Sequence, residues 1–179
     1  MLSGWCKRVV ASVAMLVVGL VAGGCCSHEM KPYDVTVALS QSFGPNKPAI
    51  EVHLVGVSDA EQSMWSTYSM SKYWQEPNNP LRANASKYVM NFGQGRPDAQ
   101  VLRKNDPIWE KWKAAGATRL YVLAFLPGRF EDGPEDHDPR RRILPLDQCR
   151  WPQKDQQQIR VTLLPSNVQV ETSPLPEKK

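Results

Sequence analysis

The sequence predicts an all-β fold with minor helical content, a two-sheet β-sandwich carrying one or two short helices. Three observations lead there. Short runs rich in Val, Ile, Leu and Thr alternate apolar with polar side chains, which is the period of a strand that buries one face. Between them stand 15 prolines and 11 glycines, spaced as turn punctuation. Only two stretches carry helix-entry signals, so about seven short strands face two small helices, the proportion of a sandwich.

At 179 residues the chain has room for one domain plus short appendages. A hydrophobic share of 41%, a charged share of 22% and a mean hydropathy of -0.45 exclude wholesale disorder, collagen and a polytopic membrane protein. The net charge is +4, and Lys7 and Arg8 account for two of the 22 basic groups. Without them, 20 basic side chains meet 18 acidic ones, a surplus too small for a nucleic-acid binder.

Residues 34–41 (DVTVALSQ) place Val35, Val37 and Leu39 on one side, the first strand. A turn-rich stretch with Gly44, Pro45 and Pro48 leads to residues 49–57 (AIEVHLVGV), with Ile50, Val52, Leu54 and Gly56 on one face and Glu51, His53, Val55 and Val57 on the other. The two read as antiparallel strands joined by a loop. Ser58 and Glu61 have the spacing of a capping box and start a short helix. Trp65, Tyr68, Tyr73 and Trp74 follow, an aromatic concentration ended by the breaker Glu76-Pro77-Asn78-Asn79-Pro80. It is expected to cover one open end of the core, and its candidate alternative is a binding patch, since Trp and Tyr anchor interfaces.

Residues 87–92 (KYVMNF) are a strand, and residues 93–98 a loop. Asp106-Pro107 opens a helix carrying Ile108, Trp109 and Trp112, and Gly116 stops it in a left-handed cap. Residues 118–126 (TRLYVLAFL) form the strongest buried strand. Residues 127–142 hold acids and then bases, and read as a solvated, self-neutralising loop. The acids from Glu131 to Asp138 lack the ordered spacing and turn glycine of a calcium loop. Residues 142–146 form a weak edge strand with Pro145, residues 158–164 and 168–171 close the fold as a hairpin with Ile159, Val161 and Leu163 inward, and the remainder is a tail.

The N-terminus has a cationic start at Lys7 and Arg8, an apolar stretch over residues 9–21 and small residues Ala22, Gly23 and Gly24, the three parts of a secretion signal. The apolar stretch is shorter than the ~20 residues of a membrane span. Its continuation into Cys25 and Cys26 resembles the lipobox of bacterial lipoproteins. That resemblance implies cleavage before a cysteine whose thiol carries diacylglycerol and whose amine is acylated, an anchor of several acyl chains, palmitate among them. Cys25 is the preferred lipidated residue and Cys26 the alternative. Residues 1–24 are then a signal peptide, 25–33 a lipidated tether, 34–172 the sandwich and 173–179 a flexible tail. The residue after the lipidated one is not aspartate, which resembles sorting to the outer membrane, periplasmic face. Of four cysteines, Cys6 leaves with the signal and one is acylated, so Cys149 has at most one candidate partner, at the membrane-proximal tip. A disulfide framework is excluded, and Cys149 reads as a small, partly buried residue.

The three histidines, His28, His53 and His137, sit in no nucleophile or zinc motif, and there is no phosphate loop. His53 is expected to face water or a polar rim rather than to act as a general base. No enzyme, metal or cofactor is predicted.

The order of elements, from lipobox through AIEVHLVGVSDAEQ, an aromatic short helix and YVLAFLPG to IRVTLLPSNVQVE, resembles the TssJ family of type VI secretion lipoproteins. The resemblance implies a transthyretin-like sandwich, an outer-membrane anchor and a non-enzymatic docking role. It also implies a periplasmic protein partner, the inner-membrane subunit TssM, held by the loop between the first two strands. By position that loop is Gln41, Ser42, Phe43, Gly44, Pro45, Asn46, Lys47 and Pro48. The alternative function is an envelope lipoprotein that binds a small molecule or glycan through the Trp65, Tyr68, Tyr73 and Trp74 patch near Asn78, Asn79 and Asn84.

Overall fold

The computed structural model describes residues 29–151 and 158–176. The expected signal peptide and the lipidation candidates Cys25 and Cys26 lie outside the described residues. Eight strands and four α-helices are described, in the order β1 (Asp34–Leu39), β2 (Ile50–Ser58), α1 (Asp59–Thr67), α2 (Met70–Gln75), α3 (Pro80–Asn84), β3 (Lys87–Phe92), β4 (Ala99–Leu102), α4 (Ile108–Ala114), β5 (Ala117–Ala124), β6 (Arg141–Pro145), β7 (Gln158–Leu163) and β8 (Val168–Val170). They form two four-stranded sheets, ordered β4-β1-β7-β8 and β3-β2-β5-β6. Val35, Val37, Ile159, Val161 and Leu163 of the first sheet share one core with Ile50, Val52, Leu54, Met90, Phe92, Leu120 and Val122 of the second. This is the predicted β-sandwich.

The pairing corrects the reading of the first two strands as an antiparallel pair. β1 pairs antiparallel with β4 and parallel with β7, whereas β2 lies in the other sheet between β3 and β5. The connecting loop therefore crosses from sheet to sheet at one end of the sandwich. Counting along the strands, that end also holds the β3–β4, β5–β6 and β7–β8 connections, while the chain's entry at Asp34 and α4 lie at the opposite end.

The second sheet is buried on both faces, which explains its near-continuous apolar runs. Val55, Val57, Tyr121 and Leu123 point away from the sandwich core and pack under Trp65, Met70, Tyr73 and Trp74, forming a second core. The aromatic segment thus covers a sheet face and not an open end. It is also three helices where one was expected, because Ser69 and Asn79 each cap a new start, accepting from the amides of Lys72 and Arg82. The Ser58–Glu61 capping box is formed as predicted. At the entry end, Trp109 and Trp112 of α4 are fully buried and donate through Nε1 to the carbonyls of Arg103 (2.9 Å) and Ser86 (2.7 Å). Trp112 lies flat against Gly56, where a Cβ would stand 2.4 Å from its Cγ.

Residues 127–142 are only partly solvated. Asp138, Arg140 and Arg141 are buried, and each has a reason to be. Arg140 grips Asp138 through two nitrogens (2.9 and 2.7 Å), reaches Asp132 (2.6 Å) and Ser71 (3.2 Å), and lies over the Phe130 ring. Arg141 donates to the carbonyls of Glu135 (2.7 Å), Trp65 and Tyr68 (both 3.0 Å) and Gly133 (2.6 Å). The charges that read as self-neutralising on the surface instead weld this loop to α1 and α2.

The tether and tail are also more attached than expected. Met30 and Tyr33 are buried, Met30 bridges Asp147, and Lys31 donates to the Leu146 carbonyl (3.0 Å). Arg150 donates to the Leu175 carbonyl (2.6 Å), so the tail as far as Leu175 lies along the short turn at Gln148–Arg150. Cys149 is half-buried, as expected of a small, partly buried residue, and is disulfide-bonded.

Candidate docking surface

The loop from Gln41 to Pro48 is built by two residues that differ from ordinary coil. Ser40 ends β1 by accepting the amides of Ser42 (3.2 Å) at its hydroxyl and Phe43 (3.3 Å) at its carbonyl, which forces one tight turn over Gln41–Phe43. Gly44 closes it with φ +67° and ψ -164°, a backbone conformation open to glycine and strained for anything with a Cβ. The result exposes Gln41, Ser42, Gly44, Pro45 and Asn46. Phe43 is half-buried, packed against the sandwich core, so its ring supports the turn more than it presents itself.

A second loop, residues 93–98, holds the first. Lys47 pairs with Asp98, Gln94 donates through Nε2 to the Pro45 carbonyl (2.8 Å), and the Asp98 carbonyl accepts the Leu39 amide (2.7 Å). Gln94, Gly95, Arg96 and Pro97 are exposed beside the predicted loop and extend it. Sequence reasoning treated this stretch as a mere connection. Lys47 and Asp98 stand 51 positions apart, and no local pattern announces such a pair.

The aromatic patch is placed differently. Trp65, Tyr73 and Trp74 are 3%, 0% and 8% exposed, and Tyr68, half-buried, accepts a hydrogen bond from Asn79 (2.9 Å). Their rings contact one another, with Trp65–Tyr73 centroids at 6.1 Å and Tyr73–Trp74 at 5.0 Å. Trp74 alone borders a cleft of about 300 Å³, shared with Phe125, Phe130 and Arg140. Asn79 is itself buried and spends its amide on Tyr68, Lys72 and Glu76.

His53, expected at a polar rim, is 1% exposed. Its Nδ1 meets the Tyr73 hydroxyl at 2.7 Å and its Nε2 meets Glu51 at 2.5 Å. Burial lowers its pKa, and the opposing pull of Glu51 does not restore it. Burial likewise pushes the Tyr73 phenol well above its usual range. An acid, an imidazole and a phenol in a row have the makings of a proton relay, yet His53 and Tyr73 are closed to solvent and the row joins β2 to α2. At the loop end, the Asp132 carboxyl is held at about 2, because hydrogen bonds from Ser69, Ser71 and Arg140 outweigh the upward push of burial. Among the described residues no group of three His, Cys, Asp or Glu could hold a metal ion. No helix among them is long and apolar enough to cross a membrane.

Solved structures similar to this one include two proteins of the type VI secretion system. The T6SS lipoprotein TssJ1 from Pseudomonas aeruginosa superposes with a TM-score of 0.47 at 10% identity, over 82% of this chain and 99% of that one. Serratia marcescens Lip, a membrane-bound component of the type VI secretion system, superposes with a TM-score of 0.44 at 12% identity, over 84% of this chain and 99% of that one. Both are type VI secretion proteins. No family model and no curated protein matches the sequence.

Proposed function

We propose that the chain is an outer-membrane lipoprotein, anchored by acyl chains at its N-terminus, that serves as a non-enzymatic docking subunit of a type VI secretion membrane complex. The partner is a TssM-like periplasmic domain, and the contact surface is the loop of Gln41, Ser42, Phe43, Gly44, Pro45, Asn46, Lys47 and Pro48 with its neighbour at Gln94–Pro97. One observation carries this reading. The chain enters the sandwich at one end, where Met30 and Tyr33 are docked, and the loop stands at the other, the length of β1 away, about 20 Å for its six residues. An anchor at the entry end turns the loop away from the bilayer and toward the periplasm.

The loop suits that role physically. It is rigid because of the glycine turn and the Lys47–Asp98 and Gln94–Pro45 clamps, so little conformational entropy is lost on binding. The ligand-binding alternative has less behind it, since three of its four aromatic rings are packed in the second core.

The test is affinity purification from detergent-solubilised envelopes, comparing wild type with a Ser42→Ala/Asn46→Ala variant and with Phe43→Ala. Loss of a large periplasmic partner from these variants, with the fold intact by circular dichroism, is the expected result. Full recovery by all of them would remove the loop from the contact.

A further inference from the structure

A cleft of about 300 Å³ opens between α2 and the β5–β6 connection, room for a side chain or two of a bound chain. Trp74, Phe125 and Phe130 give it aromatic walls, joined by Gly128, Arg129 and Arg140. Phe125 is 46% exposed, a large apolar ring left against water, with its centroid 5.6 Å from that of Trp74. Trp74 itself is buried, yet its Nε1 donor has no acceptor among the described residues, whereas Trp109, Trp112 and Trp151 each donate theirs to a backbone carbonyl. A buried donor left unmade carries a free-energy penalty that an incoming acceptor removes.

The charges that line the cleft are of one sign. Arg140 is neutralised by Asp132 and Asp138, but Arg129 is exposed and pairs with no carboxylate among the described residues, and none of the lining residues is acidic. Glu51, on the neighbouring strand, is taken up by His53 (2.5 Å). Aromatic walls whose spare groups are a guanidinium and an indole N–H suit a carboxylate carried next to an apolar side chain. The cleft also adjoins the docking loop. The Phe125 amide donates to the Glu51 carbonyl (2.8 Å), and Glu51 follows Pro48 by three residues, so about 10 Å of strand and one strand spacing of about 5 Å separate the two. An interface of ordinary size, about 800 Å² on each partner, covers both.

We propose that the cleft receives an acidic side chain and its apolar neighbour from the same periplasmic protein that the loop engages. The inference rests on the docking reading and deepens it. The loop at Gln41–Pro48 offers a rigid backbone surface, and the cleft is the pocket for the partner's anchor. The carboxylate meets Arg129 and the Trp74 indole N–H, and the apolar neighbour lies against Phe125 and Phe130.

The experiment titrates the detergent-solubilised, 15N-labelled protein with the purified periplasmic domain of the TssM-like subunit, following the indole N–H resonances, with that of Trp74 assigned through Trp74→Phe. Calorimetry of two surface variants, Arg129→Glu and Phe125→Ala, runs beside it. The expected result is a downfield shift of the Trp74 resonance. Arg129→Glu should weaken binding by about 10-fold or more at low salt, with the difference shrinking at high salt, and Phe125→Ala by about 5-fold or more. A domain that binds with the Trp74 resonance unmoved and both variants equal to wild type overturns the cleft while leaving the docking reading intact. A Trp74 resonance that moves with millimolar phenylacetate and not with the domain makes the cleft a site for a small acid and overturns the assignment to the partner. A domain that does not bind the wild-type chain overturns the docking reading itself, and this proposal with it.

Discussion

Replacing Gly44 with alanine separates the loop's conformation from the stability of the fold. The residue sits at φ +67° and ψ -164°, and a Cβ there would meet no heavy atom within 4 Å. The cost is therefore backbone strain alone, of order 1–3 kcal/mol for a non-glycine residue in this region. The turn it closes is held by bonds local to the loop, the Gly44 amide on the Gln41 carbonyl (3.0 Å) and the Ser42 and Phe43 amides on Ser40, so strain is relieved by loosening the turn, not by disturbing the sandwich core. Unfolding should shift by no more than that strain. Binding should lose most of it, because the partner must rebuild the turn, which is about 5- to 150-fold in Kd. The assay is titration calorimetry of the detergent-solubilised protein against the partner's periplasmic domain, beside a thermal melt. An unchanged Kd for a Gly44→Ala protein with a normal melt would refute the claim that this turn is the contact surface.

Three further outcomes test the supporting structure. Gly56→Ala drives a Cβ into Trp112, which is fixed by its bond to Ser86, and should cost about 2–3 kcal/mol in denaturant unfolding through overpacking; a neutral result would mean α4 is free to move. Arg141→Met strips donors from four backbone carbonyls, those of Trp65, Tyr68, Gly133 and Glu135, and should cost about 3 kcal/mol or more in the same assay. Stability should also fall as pH drops below about 6.5, because the unfolded chain then protonates His53 readily while burial lowers the folded pKa and the folded protein resists. That loss continues until the folded pKa is passed, and a His53→Gln variant followed by melts from pH 7.5 to 5 should show a flatter profile.

Much of the local structure was legible because its causes are local. The capping serine and glutamate at Ser58 and Glu61 fixed the start of α1, Gly116 the left-handed stop after α4, and the alternation of Ile159, Val161 and Leu163 the inner face of β7. What escaped has non-local causes. Nothing in residues 34–57 says that β1 prefers β7 over β2, since the choice depends on a strand over a hundred positions later. β4 is four residues long with an exposed first residue, too little for a periodic signal. Glu51 and His53 gave β2 a polar-looking face, yet that face is covered, and His53 is made tolerable there only by Tyr73 and Glu51. The burial of Arg140 and Arg141 was invisible in part for the same reason, since Ser71, Trp65 and Tyr68, which accept from them, stand 69, 76 and 73 positions away. The turn-rich stretch between β1 and β2 was legible from Gly44, Pro45 and Pro48, but its clamp through Asp98 and Gln94 was not.

The central claim is one of polarity, with the anchor at one end and the partner at the other. Its most direct test is photo-crosslinking in intact cells, with a photoreactive residue at Asn46 in one strain and at Lys113, exposed on α4 at the entry end, in another. The expected result is an adduct with the large inner-membrane subunit from Asn46 and none from Lys113. An adduct from Lys113 with none from Asn46 would contradict it.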